Sequence, residues 1–294
     1  MKRTFLQADF LLLITAAIWG FAFVAQRAGM EHVGPFLFNG LRFTLGALVL
    51  LPLILWRRQA DKREPGASAS LFRDGALAGI VLFAGASLQQ WGIVTTSAGK
   101  AGFITGLYVI LVPLIGLSLG QSSRRNTWLG AILAVAGLYL LSVRDGFHIS
   151  GGDLLVLAGA FFWALHVQLI GRFVSRQDAL SLAATQFAAV AILSLTAAIL
   201  FEEINPPSIA QATWPILYGG LASTGIAYTL QVVAQRRAHP SHAAILLSLE
   251  AVFAVIGGWL LLGESLGPRE LTGCAIMLAG MLMSQLGGRK QRGN

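Results

Sequence analysis

A chain of 294 residues that is 55% hydrophobic and only 12% charged, with a mean hydropathy of +0.70, is too apolar for a soluble domain of that size. Its formal net charge of +8 gathers in no basic cluster on a folded soluble segment, which argues against a nucleic-acid partner. Its single cysteine, Cys274, sits inside an apolar run, so neither a disulfide framework nor a thiolate metal site is present.

Apolar runs close to the ~20 residues that cross a ~30 Å hydrocarbon layer recur along the whole chain. They predict ten spans, at about residues 8–25, 35–55, 75–95, 101–120, 127–143, 153–170, 180–201, 214–234, 243–262 and 271–286. The first follows Lys2 and Arg3 as a signal peptide would, but its kinship with an internal run makes it a retained helix. Connections are short except from Arg57 to Arg73 and from Glu202 to Thr213, and neither of these can hold a domain.

That internal run, DLLVLAGAFFWALHVQLI from Asp153 to Ile170, repeats DFLLLITAAIWGFAFVAQ from Asp9 to Gln26 at an offset of 144 and puts Trp163 opposite Trp19. Further on, Leu41, Arg42 and Phe43 fall opposite Thr185, Gln186 and Phe187; near the end the offset is 143, pairing Gly120, Gly130 and Gly137 with Gly263, Gly273 and Gly280. The expected organisation is one membrane domain built of two copies, residues 1–148 and 149–294.

Counting Lys and Arg on alternate sides of the ten spans gives sixteen against four, which predicts that both termini are cytoplasmic. Five spans per copy is an odd number, so the second copy enters the membrane upside down. The expected fold class is an all-α integral membrane protein of ten transmembrane helices in two inverted-topology five-helix repeats, the architecture of many secondary transporters.

Trp19-Gly20 in the first helix, Leu41-Arg42-Phe43 in the second, Leu260 to Glu264 before the last, and the paired glycines Gly130/Gly137 and Gly273/Gly280 resemble the EamA-type branch of the drug/metabolite transporter superfamily. The resemblance covers about residues 8–286. It implies a ten-helix transporter of small metabolites, commonly amino acids moved outward. Its central cavity would be lined mainly by the first, third, fourth, sixth, eighth and ninth helices. This chain departs from the pattern at Gly120-Gln121, where the family has Gly-Glu, and at Trp163-Ala164, where it has Trp-Gly, so the halves have diverged.

Glu250, in the ninth span, is the sharpest candidate, because an ionisable group deep in a membrane costs about 2.5–3.5 kcal/mol on insertion scales unless it meets partners or a wet cavity. It reads as a proton-coupling or substrate-ammonium site, against a structural hydrogen bond to a neighbouring helix. Arg42, some seven residues into the second span, reads as a structural or gating residue: it snorkels to the interface, binds a substrate carboxylate, or pairs with Glu250 or Glu264 as a gate shuts. Trp19 with Phe23, and Trp163 with His166, share helix faces near mid-membrane and suggest two aromatic walls. His166 reads as a substrate-site residue that shuttles protons near neutral pH or, lacking a His or carboxylate four residues away, as a satisfied polar residue rather than a metal ligand. Tyr228, Gln231 and Gln235 form a polar stripe along the eighth span, with Gln89 and Gln90 at the related depth of the third and Thr105 and Tyr108 on one face of the fourth; the stripe and these residues are expected to bind the substrate, or else simply to join helices. Gly75/Gly79 and Gly102/Gly106 are small-residue spacings for close helix packing, and Gly102, Gly106 and Pro113 also allow the fourth helix to bend.

No phosphate-cradling loop, zinc-binding His pair, carboxylate dyad or nucleophile elbow is present, so the chain does not read as an enzyme and needs no cofactor or ATP. The expectation is a multi-pass secondary transporter of the bacterial inner membrane. It would export amino acids or similar amphipathic solutes by alternating access, with protons or the substrate gradient as driving force. Its partners would be the solute, the bilayer and protons. The alternatives are a multidrug or nucleobase exporter, a lipid-handling protein, and a membrane-embedded enzyme using Glu250 and His166, whose scattered acids and histidines speak against it. The glycine faces of the fifth and tenth helices pack within one chain or make a homodimer, and the residues leave both open.

Overall fold

The computed structural model describes residues 2–61, 69–96, 98–142, 150–262 and 267–288, and among these it contains helices and no strand. Three long helices come first: α1 (Lys2–Gly29), α2 (Pro35–Asp61) and α3 (Ala69–Thr95). The fourth apolar segment is two helices, α4 (Ala98–Gly106) and α5 (Tyr108–Ser118), and α6 (Arg125–Ser142) follows. The second half opens with α7 (Gly151–Phe173) and α8 (Ala179–Phe201), then the short α9 (Pro206–Gln211). The eighth segment runs as α10 (Thr213–Leu217), a π-helix (Tyr218–Tyr228) and α11 (Thr229–Gln235). Its neighbour is again split, into α12 (Pro240–Leu247) and α13 (Glu250–Leu262), and α14 (Pro268–Gly288) closes the chain.

Eight of these stretches are long and apolar enough to cross a membrane, from Leu6–Gly29 to Pro240–Gly257. The protein is therefore an all-α, multi-span membrane protein. α6 and α14 lie where the fifth and tenth spans are expected but fall outside the eight. Large apolar side chains such as Phe10, Leu55, Ile192, Ile199 and Leu200 stand exposed on the outer faces, where lipid takes the place of a protein core.

α2 lies along α8, α3 packs between α7 and α8, α1 rests on α13 and the π-helix, and α7 meets both α4 and α5. α6 and α14 lie along each other so closely that a Cβ at Gly137 would sit 2.6 Å from the Gly273 carbonyl, and one at Gly130 2.7 Å from that of Gly280. The glycine faces are thus spent on each other within one chain. Gly75 and Gly79 serve in the same way, fitting α3 against Thr185 and Ala189 of α8.

Polar links at the helix ends fix which helices are neighbours. The Glu202 carboxylate, just beyond α8, accepts from Phe36 N and Leu37 N at 2.8 Å and so satisfies the free amides that open α2. Ser150 and Asp153 form a capping box at the start of α7, and Thr96 donates to Asp153 across 2.9 Å. At the opposite end of the bundle Asp74, buried in α3, accepts from Arg176 Nε and Nη2 at 3.0 Å and from Gln177 Nε2 at 2.8 Å. There too His242 lies between Asp9, 2.8 Å from Nε2, and Ser284, 3.0 Å from Nδ1, joining α1, α12 and α14.

Candidate functional site

The breaks in the two split helices fall at corresponding points of the repeat, around Leu107 and at Ser248-Leu249, the position of Leu107 matching Glu250 at the offset of 143. Thr105 and Tyr108 flank the first break, Leu247 and Glu250 the second, and all four line one cavity. Its volume is about 40 Å³, room for about three or four waters at ~10–15 Å³ each and too small for an amino acid. Its walls come from α1, α3, α4, α5, α7, the π-helix, α11, α12 and α13, with one residue of α2.

Aromatic rings form the body of the site. Tyr228 lies between the equivalent tryptophans, its ring centroid 4.6 Å from Trp19 and 6.0 Å from Trp163. Trp163 Nε1 donates to Gln89 Oε1 at 2.8 Å, and Trp19 Nε1 to Ser223 O at 3.3 Å. Because an indole nitrogen is only a donor, the first bond fixes the Gln89 amide: its oxygen also accepts from Thr105 Oγ1 at 3.2 Å, and its nitrogen donates to Gln26 Oε1 at 3.2 Å.

Two charged groups border the same space. Glu250, 4% exposed at the first position of α13, has no cation in salt-bridge range among the described residues, and the Tyr108 hydroxyl is its electrostatic neighbour. Arg42 is 2% exposed; its Nε donates to Asn39 Oδ1 at 2.9 Å, and its guanidinium carbon lies 4.7 Å from the Phe43 ring centre. Tyr228 is in electrostatic reach of both Arg42 and Glu250.

Trp19, Phe23, Gln89, Thr105, Tyr108, Trp163, Tyr228, Gln231 and Glu250 therefore meet around one cavity, together with Arg42. Three expectations change. Arg42 does not snorkel to the interface: α2 is rotated so that this residue faces inward, buried against Phe38, Phe43 and Asn39. Gln90 does not line the cavity; one residue from Gln89 it is turned by about 100°, and its Nε2 donates to Gln26 O at 3.3 Å. His166 stands outside as well, its Nε2 2.8 Å from Gln186 Oε1 and its ring edge-on to Trp163 and Tyr228. Three residues beyond Trp163 it is about 60° off that face, whereas Val167, four beyond, is about 40° off and lines the cavity. Glu264 lies outside the described residues.

Gln26, Val167, Ser223 and Leu247 join the lining without having been singled out. Gln26 had a signal, since Trp19, Phe23 and Gln26 are spaced i, i+4, i+7 along one helix face. Ser223 had none, because the π-helix that turns it inward carries no sequence mark.

The model of the EamA-like transporter family matches this chain twice, over residues 6–143 and 150–285. The chain belongs to that family. Among EamA-like relatives, an uncharacterized transporter of Archaeoglobus fulgidus is 32% identical over 286 residues, spanning 96% of this chain and 86% of the relative. The threonine/homoserine exporter RhtA of Escherichia coli K12 is 29% identical over 291 residues, spanning 96% and 92%. A solved crystal structure superposes with a TM-score of 0.80 over 97% of this chain and 99% of its own at 22% identity, which shows a shared fold. These relatives of the EamA-like chain thus carry transporter or exporter names.

Proposed function

We propose that the protein is a secondary active transporter of the bacterial inner membrane that exports amino acids or similar amphipathic solutes by alternating access, coupled to protons through Glu250. One observation carries the reading: a single aromatic-walled cavity, drawn from both halves of the chain, holds a buried carboxylate and a buried guanidinium that are not paired with each other. Buried charges are retained in a membrane where they meet ions or solutes. The likeness to an exporter of threonine and homoserine supports the solute class.

In this proposal the chain forms ten spans in two inverted copies, residues 1–148 and 149–294, with both termini cytoplasmic. Support comes from the double match to the family model and from the packing, whose main helix pairs map onto one another when the halves are exchanged. α2 on α8 and α6 on α14 map onto themselves, while α3 on α7 maps onto the π-helix and α11 on α1, and α1 on α13 onto α7 on α5. The excess of Lys and Arg on one side of the spans supports the orientation.

Opening toward the cytoplasm widens the cavity to admit the solute, and opening outward releases it. A proton arriving at Glu250 from outside discharges the carboxylate that held a solute ammonium, and its loss inside readies the site again. The two half-helix breaks give the moving halves their points of flexure.

Counterflow of labelled amino acids in proteoliposomes of the purified protein, with and without an imposed pH gradient, tests this. Saturable exchange of one class, faster with the gradient, is expected. No exchange across the panel, with saturable exchange of cationic drugs or nucleobases instead, moves the assignment to those solutes.

A further inference from the structure

We propose that the cavity recognises its solute as a zwitterion, Arg42 taking the carboxylate and Glu250 together with Gln231 taking the ammonium. The inference deepens the proposed amino-acid export and rests on it.

The two charges belong to different halves, α2 and α13, yet border one cavity. Neither lies within the 4.0 Å of an ion pair with any opposite charge among the described residues. Among the described residues, only Nε of the five N–H donors of Arg42 has a hydrogen-bond acceptor, Asn39 Oδ1 at 2.9 Å. The terminal amines, the planar fork that fits a carboxylate edge-on, are left for a ligand. Asn39 and the Phe38 and Phe43 rings hold that fork in place.

Other residues of the lining offer acceptors. Gln235 Nε2 donates to Val167 O at 2.8 Å, and a carbonyl can only accept, so the Gln235 oxygen is free to accept from Gln231 Nε2 at 3.0 Å. This chain of bonds fixes the Gln231 amide and leaves its Oε1 buried without a donor among the described residues. The Tyr108 hydroxyl is likewise buried with no hydrogen bond of good geometry, beside Glu250. A carboxylate with a hydroxyl beside it, and an unfilled amide oxygen lining the same cavity, offers acceptors for the three N–H bonds of an ammonium. Tyr228 is in electrostatic reach of both charges. A purely cationic solute would leave Arg42 unpaired in a buried place, and an anionic one would leave Glu250 so; a zwitterion leaves neither.

The experiment uses the full chain in proteoliposomes and whichever of labelled L-threonine, L-homoserine, L-leucine and L-phenylalanine exchanges fastest. Competitors are that amino acid, its amide, which lacks the carboxylate, and its deamino acid, which lacks the ammonium. In the wild type each analogue is expected to compete at least about tenfold more weakly than the amino acid, because a site built to bond a group rejects a ligand that lacks it. Arg42→Gln is expected to lose discrimination against the amide while keeping it against the deamino acid, and Glu250→Gln to show the reverse. Arg42→Lys and Glu250→Asp, which keep the charges, are expected to retain partial discrimination and guard against loss through misfolding. Exchange of an amino acid with which the amide and deamino acid compete equally well overturns the zwitterion site and leaves amino-acid export standing. So do variants that lose rate with unchanged competitor ratios. Exchange of none of the four amino acids overturns both readings.

Discussion

The indole N–H of Trp163 donates to Gln89 Oε1 across 2.8 Å, bringing a residue of the second half onto an amide of the first inside the cavity. Its counterpart Trp19 does the converse, reaching from the first half to Ser223 O of the second at 3.3 Å. The two tryptophans therefore tie the halves together at the site itself. Trp163→Phe keeps the ring and removes the donor. The expected loss is about 1 kcal/mol, read as a roughly fivefold rise in half-saturating solute. Trp19→Phe, which gives up the longer bond, is expected to show less. Unchanged half-saturation in Trp163→Phe would mean that the bond does not position the wall.

Glu250→Gln preserves shape and removes both the charge and the titration. The expected result is a transport rate that no longer responds to an imposed pH gradient, measured by solute efflux from proteoliposomes. A variant whose rate and pH profile match the wild type removes the proton role from this residue.

At Gly137, where α6 crosses α14, a Cβ would stand 2.6 Å from the Gly273 carbonyl. Gly137→Leu forces the pair apart, with an expected destabilisation of about 1–3 kcal/mol in thermal unfolding of the detergent-solubilised protein. Gly151→Ala, where a Cβ meets nothing within 4 Å, serves as the control and is expected to unfold like the wild type.

Asp74 anchors α3 to the turn between α7 and α8 through Arg176 and Gln177. Asp74→Asn removes the charge that these donors share. The expected cost is about 2 kcal/mol, with Arg176→Ala nearly as damaging and the double variant less than additive. Additive losses in a double-mutant cycle of melting data would show that the two side chains act separately.

The helical segments and the family were legible in the sequence because lipid imposes a simple rule. Every backbone group must be bonded within its own helix, and about twenty apolar residues must cover the crossing. Trp19, Trp163, Tyr228 and Glu250 stood out because bulky aromatic and ionisable groups at mid-depth have few other uses.

What the tertiary structure decided was rotation and irregularity. A helix apolar all round has no strong face of its own, so the inward turn of Arg42 follows from how α2 seats on α8 and the π-helix, not from α2 itself. The same 100° step per residue sends Gln89 to the cavity and Gln90 to α1, and prefers Val167 to His166. The breaks at Leu107 and Ser248-Leu249 and the π-helix that ends at Tyr228 are departures from regular α-helical hydrogen bonding. Sequence sets which groups enter the membrane, since transfer from water is a property of each segment alone; packing between segments sets which of them face one another.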